Sequence, residues 1–508
     1  MLLRELVTTS AAVAATRSRT RKTTVLSALL RAHDAVDRAL AVAYLTGTVP
    51  QGRIGIGYVA VGTVEVTPAA EPSLRLRDVD ACLREVADTT GTGSRQRREA
   101  LLTSLFARAT AQEQDFLGRL LLGELRHGAL DGVMVTAIAD AADVAVAAVR
   151  RAYMLSDDLT AVTAAALSGG EEALGAFRLR VLHPIQPMLA STAADIADAV
   201  DPDTPQVADA KLDGVRVQLH RDGDRVAVYT RSLRDITADV PGIVAAARAL
   251  PVASVILDGE AISLRSDGRP EPFQVTMQRL GDDDGDGAVH DATLVCFFDC
   301  LHHDGVDLID APLRDRLAVL DEVVPAAQVV ARHPVGAVDD AAAFFERTVA
   351  DGFEGVVVKA LESTYAAGRR GAAWRKVKPS WTLDLVVLAV EWGSGRRRAW
   401  LSNLHLGARD PHGGFVMLGK TFKGLTDELL EWQTHRFLEL ETHRTGHVVH
   451  VAPVQVVEVA VDGVQTSRRY PGGVALRFAR VKRYRSDKRA DEADTLATVR
   501  TLGSLPNA

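Results

Sequence analysis

Ala208-Asp209-Ala210-Lys211-Leu212-Asp213-Gly214-Val215-Arg216 runs into a stretch where Val217 and Leu219 alternate with polar neighbours. Arg221-Asp222-Gly223-Asp224 then supplies turn chemistry, and Val226 and Val228 restart the alternation. A period of two on both sides of a turn predicts a hairpin of half-buried strands. Lys211 therefore sits at the root of a sheet. A lysine on a rigid strand end, with an acid two residues away on either side and a glycine allowing close backbone approach, suits a nucleophile aimed at a phosphate. An exposed lysine in a charged turn is the plainer reading of the same residues.

On the N-terminal side, residues 1 to about 180 read as helical. Glu113–Leu122 and Asp140–Tyr153 repeat apolar residues at three- and four-residue spacing, and alanine is abundant. Glycine-bearing stretches interrupt the pattern at Gly47–Gly57, which contains Arg53, and at Gly123–Gly128, which contains Arg126. Such glycines serve either as helix caps or as exposed backbone amides that, beside an arginine, grip a phosphate backbone. Two prolines in four residues, Pro184 and Pro187, then mark a boundary before Met188-Leu189-Ala190.

From 191 to about 380, strands and helices alternate as in an α/β domain. Val255-Ile256-Leu257-Asp258-Gly259-Glu260 is a buried strand ending in a carboxylate, and Leu294–Cys300 is another, with Phe298 inside it. Gly352-Phe353-Glu354-Gly355-Val356-Val357-Val358-Lys359 puts a carboxylate and a lysine at the two ends of a strand apolar enough to be buried. Trp374-Arg375-Lys376-Val377-Lys378 alternates cations and sets Lys376 and Lys378 on one face. Parallel lysines pack poorly but neutralise the charge of a polyphosphate. A cationic pocket of this kind is expected to lower the pKa of Lys211 and raise its neutral, attacking fraction.

The last section, 381–508, turns into short strands: Leu383–Trp392, Trp400–Leu406, Phe415–Lys420 and Val448–Val461, interrupted by one helix-like stretch, Asp427–Glu441. Five short strands with an inserted helix are the pattern of an OB-fold barrel. The end is dense in arginine and lysine, including Arg485, Lys488 and Arg489.

The 508-residue chain is 47% hydrophobic and 25% charged, ordinary for a globular protein of several domains. No apolar run reaches the roughly 18 to 20 residues of a membrane span, and the basic N-terminal segment is unlike a signal peptide, so a cytoplasmic protein without a membrane partner is expected. Cys82, Cys296 and Cys300 lack the spacing of a zinc site or a disulfide framework. The net charge of −7 is unevenly spread: residues 191–380 carry 32 acidic against 20 basic side chains, and residues 381–508 carry 14 against 18. The flanks are thus free to face phosphates.

Lys211, Asp213, Gly214 and Arg216 resemble the Lys-x-Asp-Gly-x-Arg motif of covalent nucleotidyltransferases, which are ATP-dependent DNA ligases, RNA ligases and capping enzymes. Gly123-Glu124-Leu125-Arg126-His127-Gly128, the Pro187–Ala190 run, Gly419–Gly424 and Arg485-Ser486-Asp487-Lys488 are similar to ligase motifs in the order that ATP-dependent DNA ligases require. The resemblance implies an all-α DNA-binding domain (1–182), an α/β (ATP-grasp-like) adenylation domain (183–380) and an all-β OB-fold barrel (381–508). It implies that Lys211 attacks the α-phosphate of ATP to form lysyl-AMP, which is passed to a nick in duplex DNA.

The same resemblance gives the other roles. Asp209 faces the adenine amine, where ligases often carry the longer Glu, and Phe298 stacks on the base, although plain core is the commoner role of such an aromatic. Arg216, Arg231, Glu260 and Arg370 lie near the nucleotide, with Arg231 later on the DNA phosphate. Lys376 and Lys378 meet the α-phosphate. Glu354, with Glu260, supports Mg2+, or alternatively Mn2+. Arg485, Asp487 and Lys488 orient the pyrophosphate leaving group, and Arg53 and Arg126 grip DNA. A hinge near Lys378-Pro379-Ser380-Trp381 would let the last domain swing, and a monomer is expected; no sliding-clamp partner can be read from the sequence. A capping-type guanylyltransferase, an RNA ligase or a non-catalytic nick-binding scaffold are the alternatives.

Overall fold

The computed structural model describes the chain except residues 53, 63, 65, 126–130, 266–268, 272–275, 277–292, 368–369 and 504–508. Arg53 and Arg126 therefore lie outside the described residues.

The first 175 residues are helical, with one apolar core that takes in Leu6, Leu30, Tyr44, Leu83, Phe116, Ile138 and Val162. Helix starts follow local chemistry. Asp34 accepts from Val36 N and Asp37 N, and Glu113 accepts from Thr110 N, each satisfying amides left open by the first turn. Gly47 and Gly123 close helices, donating to Tyr44 O and Leu120 O. Capping thus accounts for these two glycines without a ligand. The expected continuous helix Asp140–Tyr153 is instead two, Asp131–Ala142 and Val146–Ser156, because Asp143 takes φ +55° and breaks the ladder.

The middle of the chain folds into two five-stranded sheets. The first has the order β1 (Leu189–Thr192), β10 (Arg370–Val377), β9 (Val356–Ala360), β2 (Gln206–Ala210), β8 (Arg332–Val335). The second has the order β4 (Arg225–Thr230), β3 (Val215–Asp222), β5 (Ser254–Ser263), β6 (Thr293–His303), β7 (Val306–Asp307). The predicted hairpin is β3–β4, antiparallel, with Gly223 in its turn at φ +58°. Helices Pro241–Arg248 and Leu313–Val323 cover one face of the second sheet, and helix Val338–Ala350 packs on the first. Residues 211–214 are the only link from β2 to β3, so Lys211 stands where the two sheets meet.

The segment 181–190 is packed rather than loose. Ile185 and Met188 are buried, Gln186 N donates to Met154 O, and Ile185 N donates to the Gln218 side chain. Together with the Arg151–Asp310 ion pair at 2.6 Å, these contacts seat the helical region against the two sheets.

The C-terminal part is built on the twelve-residue strand β11 (Trp381–Trp392). Its first half pairs with β16 (Val456–Val461) and its second with β12 (Leu401–Arg409) and β15 (Val448–Val451). With β13 (Phe415–Thr421), β14 (Glu441–Thr445) and β19 (Arg480–Tyr484) this makes a seven-stranded sheet, beside the two-stranded β17 (Gly463–Thr466) and β18 (Val474–Arg477). The described residues thus hold more strands than the expected five. Val448–Val461, read as one strand, is two, because Pro453 has no N–H for the ladder. The helix-like stretch is Asp427–Glu439, capped by Thr426. No helix among the described residues is long and apolar enough to cross a membrane.

Asp299 of β6 and Arg316 of helix Leu313–Val323 form a fully buried two-point ion pair, Nε–Oδ1 2.7 Å and Nη2–Oδ2 3.0 Å. Arg316→Ala leaves a carboxylate buried without its cation, a loss of about 3–5 kcal/mol. We expect the urea midpoint of the middle domain to fall accordingly, while Asp299→Leu with Arg316→Leu recovers much of it.

Candidate active site

Lys211 is fixed through its backbone before its side chain does anything. Its N–H donates to Gly355 O at 2.8 Å, and Glu354 N–H donates to Lys211 O at 2.9 Å, prolonging the β2–β9 ladder past the end of β2. The glycines of both motifs are sterically required. A Cβ on Gly355, at φ +133°, would lie 2.1 Å from Val377 O, and one on Gly214 would lie 2.2 Å from Ala261 O.

The Lys211 ammonium is 2.5 Å from Glu354 Oε2, and Lys378 pairs with the other oxygen of the same carboxylate. Glu260 approaches from β5 and accepts from Gly214 N at 2.9 Å. Burial, the largest single effect on Lys211, lowers its pKa, but the carboxylates of Glu354, Glu260 and Asp213 together outweigh it and hold the pKa above the ordinary lysine value. This corrects the expected lowering: the nearest neighbours of Lys211 are acids, while Lys378 is already engaged by Glu354. Burial pushes Glu354 up, yet Lys211 and Lys378 hold it below its usual range. Burial pushes Glu260 up to about 7.

A cleft of about 750 Å3 opens above this cluster, between the two sheets, lined by Lys211, Glu260, Phe298, Lys359, Trp374 and Lys376 among others. Arg216 and Asp209 also line it, and Arg231 lies exposed on its wall just past β4. At one end Phe298 and Trp374 meet edge to face, centroids 6.1 Å apart. The Lys359 ammonium lies 4.6 Å and 4.2 Å from the two ring centroids. It also pairs with Asp209 Oδ2 at 2.5 Å, which leaves Asp209 Oδ1 as a buried oxygen with no hydrogen-bond partner. Burial raises the Asp209 pKa, and Lys359 offsets part of that.

The structure brings Lys211, Asp209, Arg216, Arg231, Glu260, Phe298 and Lys376 to one cleft and puts Lys378 and Glu354 at its base. Arg370 opens β10, and its side chain lies outside the described set. Arg485, Asp487 and Lys488 are not brought to Lys211. They sit on the C-terminal sheet around Asp384, with Arg485 Nη1 2.9 Å and Lys488 Nζ 2.6 Å from Asp384 Oδ2. What does reach the site from that domain is Arg477, 3.2 Å from Asp213 Oδ2, and Phe478, whose ring faces Lys378. Sequence reasoning assigned no role to Lys359 and Trp374. The available signal was a lysine in an otherwise apolar strand, Val356–Ala360, since a lysine is rarely buried unless paired.

Two carboxylates at the base of a cleft suit a hard divalent cation that takes its remaining ligands from phosphate and water. Among the described residues no group of three or more potential metal ligands occurs. The unpartnered Oδ1 of Asp209 beside two aromatic rings suits a base bearing an exocyclic amine.

Glu354→Gln removes the nearest anion from Lys211, so its pKa falls and its neutral fraction at a given pH rises. Labelling of Lys211 by an acylating reagent, mapped by mass spectrometry across pH, is expected to reach half-maximum at lower pH in the variant than in the wild type.

Comparison with known proteins bears on the same residues. The family model described as ATP dependent DNA ligase domain matches residues 187–378, that for the DNA ligase N terminus matches 58–139, and that for the ATP dependent DNA ligase C terminal region matches 397–488. A curated protein named "Probable DNA ligase" from Beutenbergia cavernae is 54% identical over 514 residues, covering 99% of this chain and all of that one. Another of the same name from Mycolicibacterium paratuberculosis is 56% identical over 509 residues, covering 99% and 98%. A solved structure named "Pmar-Lig_Pre" shares the fold, with a TM-score of 0.64 at 19% identity over 95% of this chain and 99% of its own. The cleft with Lys211 at its base lies within the matched adenylation segment, and the chain belongs to the ATP-dependent DNA ligase family.

Proposed function

We propose that Lys211 is the residue through which this DNA ligase takes up AMP, and that the two-sheet cleft holds the nucleotide. The observation that carries this is a half-buried lysine amine, positioned by backbone hydrogen bonds on both sides, at the base of a cleft with cations and carboxylates below and two aromatic rings at one end. The neutral amine attacks the α-phosphorus of ATP; a P–N bond forms as the P–O bond to pyrophosphate breaks, and the amine loses its proton. An oxygen of the 5′-phosphate at a nick then attacks that phosphorus and releases the lysine. Finally the 3′-hydroxyl attacks the activated 5′-phosphorus, expels AMP and closes the 3′–5′ phosphodiester.

Each side chain has a task that its surroundings support. Asp209 accepts from the adenine amine, with Lys359 balancing its charge, while Phe298 and Trp374 flank the base. Arg216 and Arg231 face the sugar and phosphates, Arg370 is assigned to the nucleotide by the family resemblance, and Arg231 later meets the DNA phosphate. Lys376 and Lys378 balance charge gathering on the α-phosphate. Glu260 and Glu354 would hold Mg2+, with Mn2+ as a substitute, and the ion supplies charge neutralisation on phosphate oxygens when bound. Arg485, Asp487 and Lys488 act on the leaving pyrophosphate only after the C-terminal domain has turned, by a hinge near Lys378–Trp381.

The long bent β11, shared between two sets of partners, supports the reading of the C-terminal domain as an OB-fold barrel, and the two-sheet middle supports an ATP-grasp-like adenylation domain with a helical DNA-binding domain before it. Arg53 and Arg126 would contact DNA from that helical domain. A monomer on nicked duplex DNA in the cytoplasm, associated with the nucleoid, completes the proposal.

Incubation with α-labelled ATP and Mg2+ is expected to leave acid-labile label on the wild type and none on Lys211→Ala, and nicked DNA should discharge it. Label from GTP in place of ATP would point to a capping-type enzyme. No label from any nucleotide, on protein free of bound AMP, would leave a binding scaffold.

Glu260 offers a second check. A carboxyl whose pKa is raised to about 7 is protonated below that pH and binds a cation only as it ionises. The Mg2+ concentration for half-maximal labelling is therefore expected to fall as pH rises from about 6 to about 8. In Glu260→Gln that component of the pH dependence should vanish.

A further inference from the structure

Behind the cleft wall Arg216 is held by a buried polar network whose other members the chemistry above does not use. Tyr365, 2% exposed, stands between Trp374, centroid 6.2 Å away and edge to face, and the carboxylate of Asp258, which is 1% exposed. Its hydroxyl donates to Asp258 Oδ2 at 2.7 Å and accepts from Met188 N at 3.0 Å. Asp258 in turn takes a two-point bond from Arg216, Nε–Oδ1 2.9 Å and Nη2–Oδ2 2.5 Å. Arg216 Nη1 donates to Met188 O at 2.6 Å, and Nη2 lies 3.5 Å from the tyrosine oxygen.

A guanidinium has five N–H donors. Four are directed at Asp258, Met188 and Tyr365, which leaves the second hydrogen on Nη1. Arg216 lines the cleft. A guanidinium gripped on three sides has no rotamer freedom left to spend when a ligand arrives, so its remaining donor is aimed in advance. Asp258 could grip Arg216 alone, but a carboxylate on a strand can still turn about its own bonds. Tyr365 prevents this by fixing Oδ2. It is itself held by Tyr365 N donating to Ile309 O at 2.8 Å, and its neighbours Ala366 N and Ala367 N donate to the sulfurs of Met188 and Met154.

We infer that Tyr365 is a positioning residue for nucleotide binding: through Asp258 and Met188 it aims the free Arg216 donor at an oxygen of the ATP sugar or phosphates. The inference rests on the reading of Arg216 as a nucleotide contact. Because Met188 lies in the segment that joins the helical region to the sheets, and Met154 belongs to that region, the aim of Arg216 depends on how that region is seated.

The test is a double-mutant cycle on ATP affinity, in the Lys211→Ala background so that no covalent step follows, read by the fluorescence of Trp374 or by calorimetry. Tyr365→Phe keeps the ring and its packing. It is expected to weaken ATP roughly tenfold, the scale of one charge-assisted hydrogen bond. Arg216→Ala should weaken it by at least as much, and adding Tyr365→Phe to Arg216→Ala should cost little more. In protein with Lys211 intact, Tyr365→Phe should raise the KM for ATP in lysine labelling far more than it lowers the maximal rate. A Tyr365→Phe loss of the same size with and without Arg216 would overturn the inference, as would unchanged affinity in Tyr365→Phe while Arg216→Ala is impaired. Unchanged affinity in Arg216→Ala would instead remove the reading on which the inference rests. Melting temperatures of all variants show whether a loss merely follows unfolding.

Discussion

Two backbone hydrogen bonds, between Lys211 and the 354–355 turn, set the geometry on which the site depends. They carry the β2–β9 ladder one step past the strand end, so the chain leaves the first sheet with Lys211 still in register before it enters the second. Lys211 thereby belongs to a ladder rather than to a loop. The cost is close approach at Gly355 and Gly214, where backbone oxygens occupy the space a side chain would need. A site on sheet backbone holds its reactive atom more precisely than a loop does.

That register also decides the electrostatics. Glu354 precedes β9 by two residues, and the same turn that bonds to Lys211 delivers its carboxylate to the lysine amine and to Lys378. Two ammonium groups share that one carboxylate, and the acids around Lys211 hold its pKa above the ordinary lysine value. In the proposed lysine adenylation the amine must give up the proton that Glu354 favours.

The parts of the molecule meet at this centre in different ways. The helical region is seated through packed segment 181–190 and Met154, whereas the C-terminal sheet touches the cleft through Arg477 and Phe478 and keeps Arg485 and Lys488 occupied on Asp384. The first contact combines buried apolar packing with hydrogen bonds and an ion pair, and the second consists of one ion pair and one ring–cation contact.

Much of this was legible in the sequence. The β3–β4 hairpin followed from period-two alternation around Gly223, the helical first third from three- and four-residue spacing, and Lys211 from its charged, glycine-bearing setting. These are local properties, fixed by backbone preference and by which side chains face water. The errors were local too: Asp143 and Pro453 each broke an element whose apolar pattern ran on unchanged, because periodicity records burial and not the continuity of hydrogen bonds. What only the tertiary structure decided was which charges meet. Lys359 with Asp209, Arg216 with Asp258 and Tyr365, and Lys211 with Glu354 are pairs between segments tens to more than a hundred residues apart, joined by sheet register. The sign of the Lys211 shift depends on such distances of a few ångströms, and Coulomb interactions in a buried cleft change too steeply with distance for residue types alone to determine them.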